Sequence, residues 1–280
     1  MTRLRSGRVG GDTTTTAVPS ASVLLLRESS SGGVEVFLQE RTIASDFAGG
    51  AYVFPGGKVD PQDRDMPPEV LGEVDAGALQ RGLGTSTPGD ALALAVAAIR
   101  EAFEEAGVLL ASRDGHPVAG DELGGPEVVA MREALAARHA AADWRPFLSE
   151  HGLVLDLSAL VPFAWWVTPH GIHRRYSTRF FVAAVPAGQG DRLAHDGREM
   201  TDSVWIDPAA ALAAGESGER VIIYPTRRTL AALAVHQSVD AALASARSGG
   251  VDLRPIVPIL RRTSDGMGVQ HPDGGPIETV

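Results

Sequence analysis

Apolar positions in the first fifth of the chain form short β-rich runs. Ser20 to Arg27 is expected to be a buried strand and Val34 to Arg41 a second, with turn chemistry from Glu28 to Gly33 joining them as a hairpin. Thr42 to Gly50 reads as a loop leading to Ala51-Tyr52-Val53-Phe54 and a turn at Pro55-Gly56-Gly57. Residues 61–89 are polar and rich in Pro, Gly and Asp, an inserted excursion with one short helix near 68–79. The period then changes. Leu92, Val96, Ile99 and Phe103 recur at i, i+4, i+7 and i+11, one stripe of an α-helix with Asp90 as N-cap and Gly107 just past its end.

Further along, Leu109-Leu110 continues as a strand, and 126–141 and 144–150 read as helices. Residues 160–168 and 176–186 have strand character. Val204 to Ile206 is a short strand before a helix to Ala214, capped by Asp207 with Pro208 in its first turn, and 224–246 reads as one long helix. Strands alternating with helices predict an α/β fold, helices on both faces of a mixed sheet. Residues 1–18 lack apolar periodicity and are expected to be a disordered leader, 19–262 one domain, and 263–280 a loose polar tail.

The charge pattern changes the picture at one place. Glu101, Glu104 and Glu105 crowd the last turn of the stripe helix, where the helix dipole is already negative and each acid costs roughly 0.3–1 kcal/mol. No Lys or Arg follows in that turn. A solvated acidic face is the plain alternative. Against it, the same side of the helix carries Leu94, Ala97 and Ala98 one and two turns earlier, which do not suit a wet surface. Carboxylates converging in a partly covered site suit a hard divalent cation such as Mg²⁺ or Mn²⁺.

Composition narrows the remaining classes. The 280-residue chain has no cysteine, which excludes disulfides, zinc–thiolate centres and thiol nucleophiles. Its net charge of −10 argues against a nucleic-acid partner but not against a small phosphorylated one. The apolar run Ala21 to Leu26 is too short for a membrane span or signal core, so a cytoplasmic location is the expectation. Oligomeric state stays open, a homodimer included.

Arg100-Glu-x-x-Glu-Glu-x-Gly107 resembles the second half of the Nudix signature, Gly-x5-Glu-x7-Arg-Glu-U-x-Glu-Glu-x-Gly-U with U aliphatic. Phe54-Pro55-Gly56-Gly57-Lys58 resembles its first half, parted from the second by the insertion at 61–89. That split, with Ala98 to Leu110 reading AIREAFEEAGVLL, is similar to the peroxisomal-type coenzyme A and acyl-coenzyme A diphosphatases of the family. The resemblance implies a Nudix α/β/α sandwich around a mixed sheet. It also implies a Mg²⁺- or Mn²⁺-dependent hydrolase of a nucleoside diphosphate linked to another moiety, here coenzyme A or its acyl esters, giving 3′,5′-ADP and (acyl) phosphopantetheine. ADP-ribose or a dinucleotide is the alternative substrate, and a Nudix-fold binding or regulatory domain the alternative class.

The resemblance also distributes roles. Glu104 and Glu105 would ligate metal, Glu101 would ligate or orient and deprotonate water, and Arg100 would hold a signature carboxylate. Glu199, a few residues before Trp205, would reach the site from an opposing loop as ligand or base, with Asp202 as its competitor. Gly56, Gly57, Lys58, Arg41 and Arg175 would meet substrate. Two positions depart from the pattern. Counted back from Arg100, the first-half glutamate falls on Leu92, with Asp60 or Asp90 as replacement. Upstream of the turn, Leu38, Arg41 and Gly50 match the coenzyme A branch, but Asp46 stands where an arginine is expected. Arg174, Arg175 or Arg179 would then supply the missing charge, while His170 and His173 read as surface groups.

Overall fold

The computed structural model describes residues 15–30, 32–45, 48–137, 142–264 and 266–279. Most of the expected leader, and Asp46, lie outside them. The first strands are β1 (Val18–Glu28), β2 (Val34–Arg41), β3 (Ala51–Val53) and β4 (Gly56–Lys58). The insertion supplies α1 (Pro61–Arg64) and α2 (Ala76–Leu83), and the stripe helix is α3 (Pro88–Glu101). Next come β5 (Ala111–Arg113), β6 (His116–Pro117), α4 (Pro126–Ala136), α5 (Arg145–Glu150) and β7 (Leu153–Leu155), whose strands form a small separate sheet. The main sheet resumes with β8 (Val161–Val167), β9 (Tyr176–Ala184) and β10 (Met200–Ile206). The remaining elements are α6 (Pro208–Ser217), β11 (Val221–Ile222), α7 (Tyr224–Leu233), α8 (Val239–Arg247), β12 (Ile259–Thr263), β13 (Gly266–Gln270) and β14 (Glu278–Thr279).

The main sheet runs β11-β3-β2-β1-β9-β8, with β10 on β2 and β4 on β1. It is mixed: β1 pairs parallel with β9 and β3 with β11, and the other pairs are antiparallel. Val23 and Leu25 of β1 pack under α3, while Leu24 and Leu26 face the core shared with α6, α7 and α8. Both faces of β1 are covered, which is why its sequence reads as a continuous apolar run rather than an alternation. The expected α/β/α sandwich is the observed fold.

One edge of β1 is divided between two partners. Its C-terminal half pairs with β2, whereas Ser20, Ala21 and Ser22 pair with Lys58, Gly57 and Gly56 of β4. The glycine turn is thereby built into the sheet. α3 is buried on nearly every side, because α1 and α2 of the insertion cover the face turned away from the sheet and add Leu79 and Leu83 to its core. This accounts for Leu94, Ala97 and Ala98 on that side.

Several boundaries differ from expectation. Thr87, not Asp90, caps α3: its hydroxyl oxygen accepts the Asp90 N–H at 3.1 Å, and Pro88 occupies the first turn. The expected helix 224–246 is two helices, since Ser238 accepts the Ala241 N–H at 3.1 Å and starts α8 anew. The strand after α3 begins at Ala111 rather than Leu109. The tail is not loose: β12, β13 and β14 form an antiparallel sheet, anchored by buried Val269 and an Arg227–Glu278 ion pair. Among the described residues, no helix is long and apolar enough to cross a membrane.

Candidate active site

The two glycines of the turn each serve one glutamate. The Gly56 N–H donates to Glu105 Oε2 at 2.8 Å. At Gly57 a Cβ would lie 2.2 Å from Glu101 Oε1, so only glycine lets that carboxylate approach the strand. Lys58 contributes its carbonyl, which accepts from Arg100 Nη2 at 2.9 Å, while its side chain is exposed.

The helix that carries the acids is not regular to its end. Residues 102–106 form a π-helical turn, closed by Gly107 in the left-handed region at φ 76°. Such turns occur where a side chain must be re-aimed, often at functional sites. The wider turn gives Glu104 and Glu105 directions that an unbroken α-helix would not.

Arg100 is 3% exposed, and all three guanidinium nitrogens are engaged. Nε and Nη2 hold the two oxygens of Asp63 at 2.9 and 3.0 Å, a bidentate pair. Nη1 reaches Glu101 Oε1 at 3.0 Å and Glu104 Oε2 at 3.3 Å. Asp63 thus corrects the reading of Leu92 as the position of the missing acid. Leu92 packs at the edge of the apolar core, Asp60 is 3.8 Å from Arg100 and half exposed, and Asp90 pairs with Arg64 at the far end of α3. Counting forward from Gly57 across five intervening residues (58–62), instead of back from Arg100, lands on Asp63. The insertion lengthens the second gap of the signature, and the chain keeps its acid as an aspartate.

Arg100 does not neutralise the site. Burial raises the Glu101 carboxyl despite the neighbouring Arg100. Burial and then the charge of Glu101 push Glu104 up to about 8, with smaller contributions from Glu199 and Asp196. Glu105 is raised well above the usual range by burial and by Glu101, against the pull of the Gly56 N–H and Arg41. Asp63 is raised by burial, with Arg100 opposing. The cluster carries more negative charge than its cation offsets.

The opposing loop brings Glu199 to this charge. Arg41 Nη2 lies 3.6 Å from Glu199 Oε2, and the Thr42 N–H donates to the Glu199 carbonyl at 2.8 Å. Asp196 fixes the loop by accepting the N–H groups of Arg198, Glu199 and Met200. On β2, Gln39 points Nε2 at Glu105 Oε2 from 3.4 Å, and its buried Oε1 has no hydrogen-bond partner among the described residues.

Arg132 is the cation that the sequence hid. From α4 it donates to the carbonyls of Glu104 and Glu105, both at 3.1 Å, and to Ala194 at 2.6 Å. It therefore sits at the negative end of the signature helix and ties that end to the Glu199 loop. No motif marks it, because the segment from Ala111 to Ala159 lies outside the resemblance.

Other expected residues are placed elsewhere. Arg175 donates to the carbonyls of Thr168 and Thr15 at 3.0 and 2.7 Å, and no contact joins it to the glutamates. Arg179 stacks 3.4 Å from the Trp165 ring centroid and donates to the Leu83 carbonyl, docking α2; burial lowers its pKa to about 10. Asp202 accepts the Tyr52 hydroxyl at 2.5 Å. Arg174, His170 and His173 are exposed. Glu101, Glu104, Glu105, Arg100, Glu199, Arg41, Gly56, Gly57 and the Lys58 backbone converge; Arg175 does not.

The donor set consists of oxygens with surplus negative charge and one unpartnered buried amide oxygen, which fits a hard divalent cation by chemistry. Among the described residues, no three acidic or imidazole groups already surround a single point as a closed ligand cage.

Known proteins resemble the chain over much of its length. The chain is 28% identical over 220 residues to the acyl-coenzyme A diphosphatase NUDT19 of Gallus gallus, covering 66% of this chain and 57% of that protein. With the Homo sapiens protein of the same name it shares 28% identity over 274 residues, covering 84% and 70%. It spans little more than half the length of the Gallus gallus protein, and 56% of its Xenopus laevis counterpart. A crystal structure of a NUDIX hydrolase from Alicyclobacillus acidocaldarius superposes with a TM-score of 0.64 at 26% identity, over 82% of this chain and 97% of that one. The family model described as the NUDT19 Nudix domain matches residues 67–230, more than half of the sequence, and the chain belongs to that Nudix family.

Proposed function

We propose that the protein is a divalent-metal-dependent diphosphatase that hydrolyses coenzyme A or acyl-coenzyme A to 3′,5′-ADP and (acyl) phosphopantetheine. The observation that carries this reading is the undercompensated trio of buried Glu101 and Glu105 and half-buried Glu104, set against the Gly56-Gly57 turn. The activity for which the relatives are named supplies the substrate class. Glu101, Glu104 and Glu105 would hold Mg²⁺ or Mn²⁺, which supplies neutralisation of the diphosphate oxygens and a more acidic attacking water. Glu199 faces the trio across the site and would orient that water or take its proton. Arg41 holds Glu199 in place and lends positive charge to the approaching diphosphate. Arg100, locked by Asp63, positions Glu101 and Glu104 rather than touching substrate.

Asp63 also bears on the alternative of a catalytically lost binding module. An acid missing at Leu92 favours that alternative, and the acid absent there is present at Asp63. The test is release of 3′,5′-ADP from coenzyme A and its acyl esters with Mg²⁺ or Mn²⁺, with ADP-ribose and NADH in parallel. Cleavage of the coenzyme A compounds is expected. Cleavage of ADP-ribose or NADH alone would overturn the substrate, and silence on all four from folded, metal-binding protein would overturn the catalytic reading.

A further inference from the structure

A cleft of about 270 Å³ opens beside the acid trio, between the end of the signature helix, α4 and the loop that carries Glu199. Its charged lining is Glu104, Glu133 and Asp196 with Arg132, Arg192 and Arg198. Phe103, Leu123 and Val128 give it an apolar wall. The arginines of the site, and those expected to supply phosphate charge, fall into two groups. Arg41, Arg100, Arg132, Arg175 and Arg179 are bound to carboxylates, carbonyls or hydroxyls of their own chain. Arg192 and Arg198 are exposed, and their guanidinium groups make no ion pair or hydrogen bond with the described residues. Their loop is nonetheless fixed: Asp196 accepts the Arg198 and Glu199 N–H groups, and the Ala194 N–H donates to the Ala106 carbonyl at 3.2 Å. Asp196 also lines the cleft, with its carboxylate turned to those N–H groups, and neither it nor Glu133 forms an ion pair with the two arginines.

A cleft that joins Glu104 of the trio to free guanidinium groups and an apolar wall suits a ligand with two separate phosphate groups and a flat base. The diphosphate would meet the acids and their cation, and a phosphomonoester would meet the guanidinium groups. We propose that this cleft is the subsite for the nucleoside half of the substrate, with Arg192 and Arg198 receiving its phosphomonoester and Leu123 and Val128 facing its base. The subsite rests on the diphosphatase reading. It assigns to the Glu199 loop the phosphate charge that Asp46 withholds upstream of the glycine turn and that Arg175 and Arg179 are too occupied to supply.

The experiment uses the full chain and two probes that differ by one phosphate, 3′,5′-ADP and 5′-AMP, titrated calorimetrically without metal. Wild type is expected to prefer 3′,5′-ADP by about tenfold or more, since hydrogen bonds to a charged phosphate are each worth about that factor. Arg192→Ala/Arg198→Ala should bring the preference close to one, and Arg198→Lys should keep part of it. Unfolding midpoints should stay at the wild-type value, because neither side chain holds a partner. In turnover, the double variant should raise KM for coenzyme A selectively over 3′-dephospho-coenzyme A. A preference absent from wild type, or retained by the double variant, overturns the subsite. Equal KM values for the two esters in an active wild type would sink the subsite and leave the diphosphatase reading intact. Wild type that cleaves neither ester removes that reading, and the binding arm still decides the subsite.

Discussion

The two faces of the central sheet bury different chemistry. Beneath α6, α7 and α8 the buried cluster is aliphatic and aromatic, and its polar atoms include neutral groups such as Thr229, which accepts the Trp166 indole N–H at 3.1 Å. Beneath α3 the chain buries Asp63, Arg100, Glu101 and Glu105. Burying a charge costs several kcal/mol unless it is paired and hydrogen-bonded. Only Arg100 and Asp63 meet that condition fully. The same sheet can evidently be closed by an apolar layer, so the acids are not required to complete the fold. In the proposed reading their placement makes the α3 face the working one.

The largest effect expected from breaking that contrast is at the pair itself. Arg100→Ala leaves Asp63 buried and unpaired and should destabilise the fold by about 3–5 kcal/mol in chemical denaturation. A loss under about 1 kcal/mol would mean that the network is not structural. Glu105→Gln goes the other way: it removes a buried charge, so the fold should hold, while turnover falls more than about a hundredfold. Even indirect partners of a metal site cost about ten- to a hundredfold. Wild-type activity in the folded variant would remove Glu105 from the site.

Gly57→Ala tests the close approach. The added Cβ meets the end of a flexible side chain, so Glu101 shifts at little cost in stability, and kcat should fall by about ten- to a hundredfold through misplacement. A folded variant with unchanged kcat would show that the Glu101 position does not matter.

The acids also predict a pH signature for metal-free protein. Glu104 has a folded pKa raised to about 8, and Glu101 and Glu105 are raised as well. Between the ordinary glutamate range and about 8, the folded state binds more protons than the unfolded one, so stability falls as pH rises through that window. Thermal scans should give a lower midpoint at pH 8.5 than at pH 5.5, and Mg²⁺ should raise it more at the higher pH. A flat profile would contradict a charge-loaded site. On the opposite face, Thr229→Val should cost only about 1 kcal/mol by leaving the Trp166 N–H unpaired, with kcat unchanged. A drop in kcat there would blur the division between the faces.

Much of the site could be read along the chain because its parts are local. Glu101, Glu104 and Glu105 share one turn, and Gly56-Gly57 is a dipeptide whose lack of side chains is itself the signal. Glu199 could be placed by its distance from Trp205. Asp63 is legible in principle, at the right spacing from Gly57, but the insertion parts it from Arg100, so a count back from Arg100 lands on Leu92. Arg132, Gln39 and Asp196 leave no local mark. Each matters through a partner that folding brings near, as Arg132 does through backbone carbonyls 27 and 28 residues away.

The α/β alternation, the stripe of α3, its glycine terminus and the crowding of acid there are legible along the chain, because periodicity and turn chemistry act over a few residues. Tertiary structure decided the rest. It chose Asp63 as the partner of Arg100, made an insertion the cover of α3, turned the expected loose tail into a sheet, and assigned Arg175 and Arg179 to carbonyls instead of substrate. Which arginine stays free depends on which acceptors surround it once the chain is closed, and that is a property of the packed molecule.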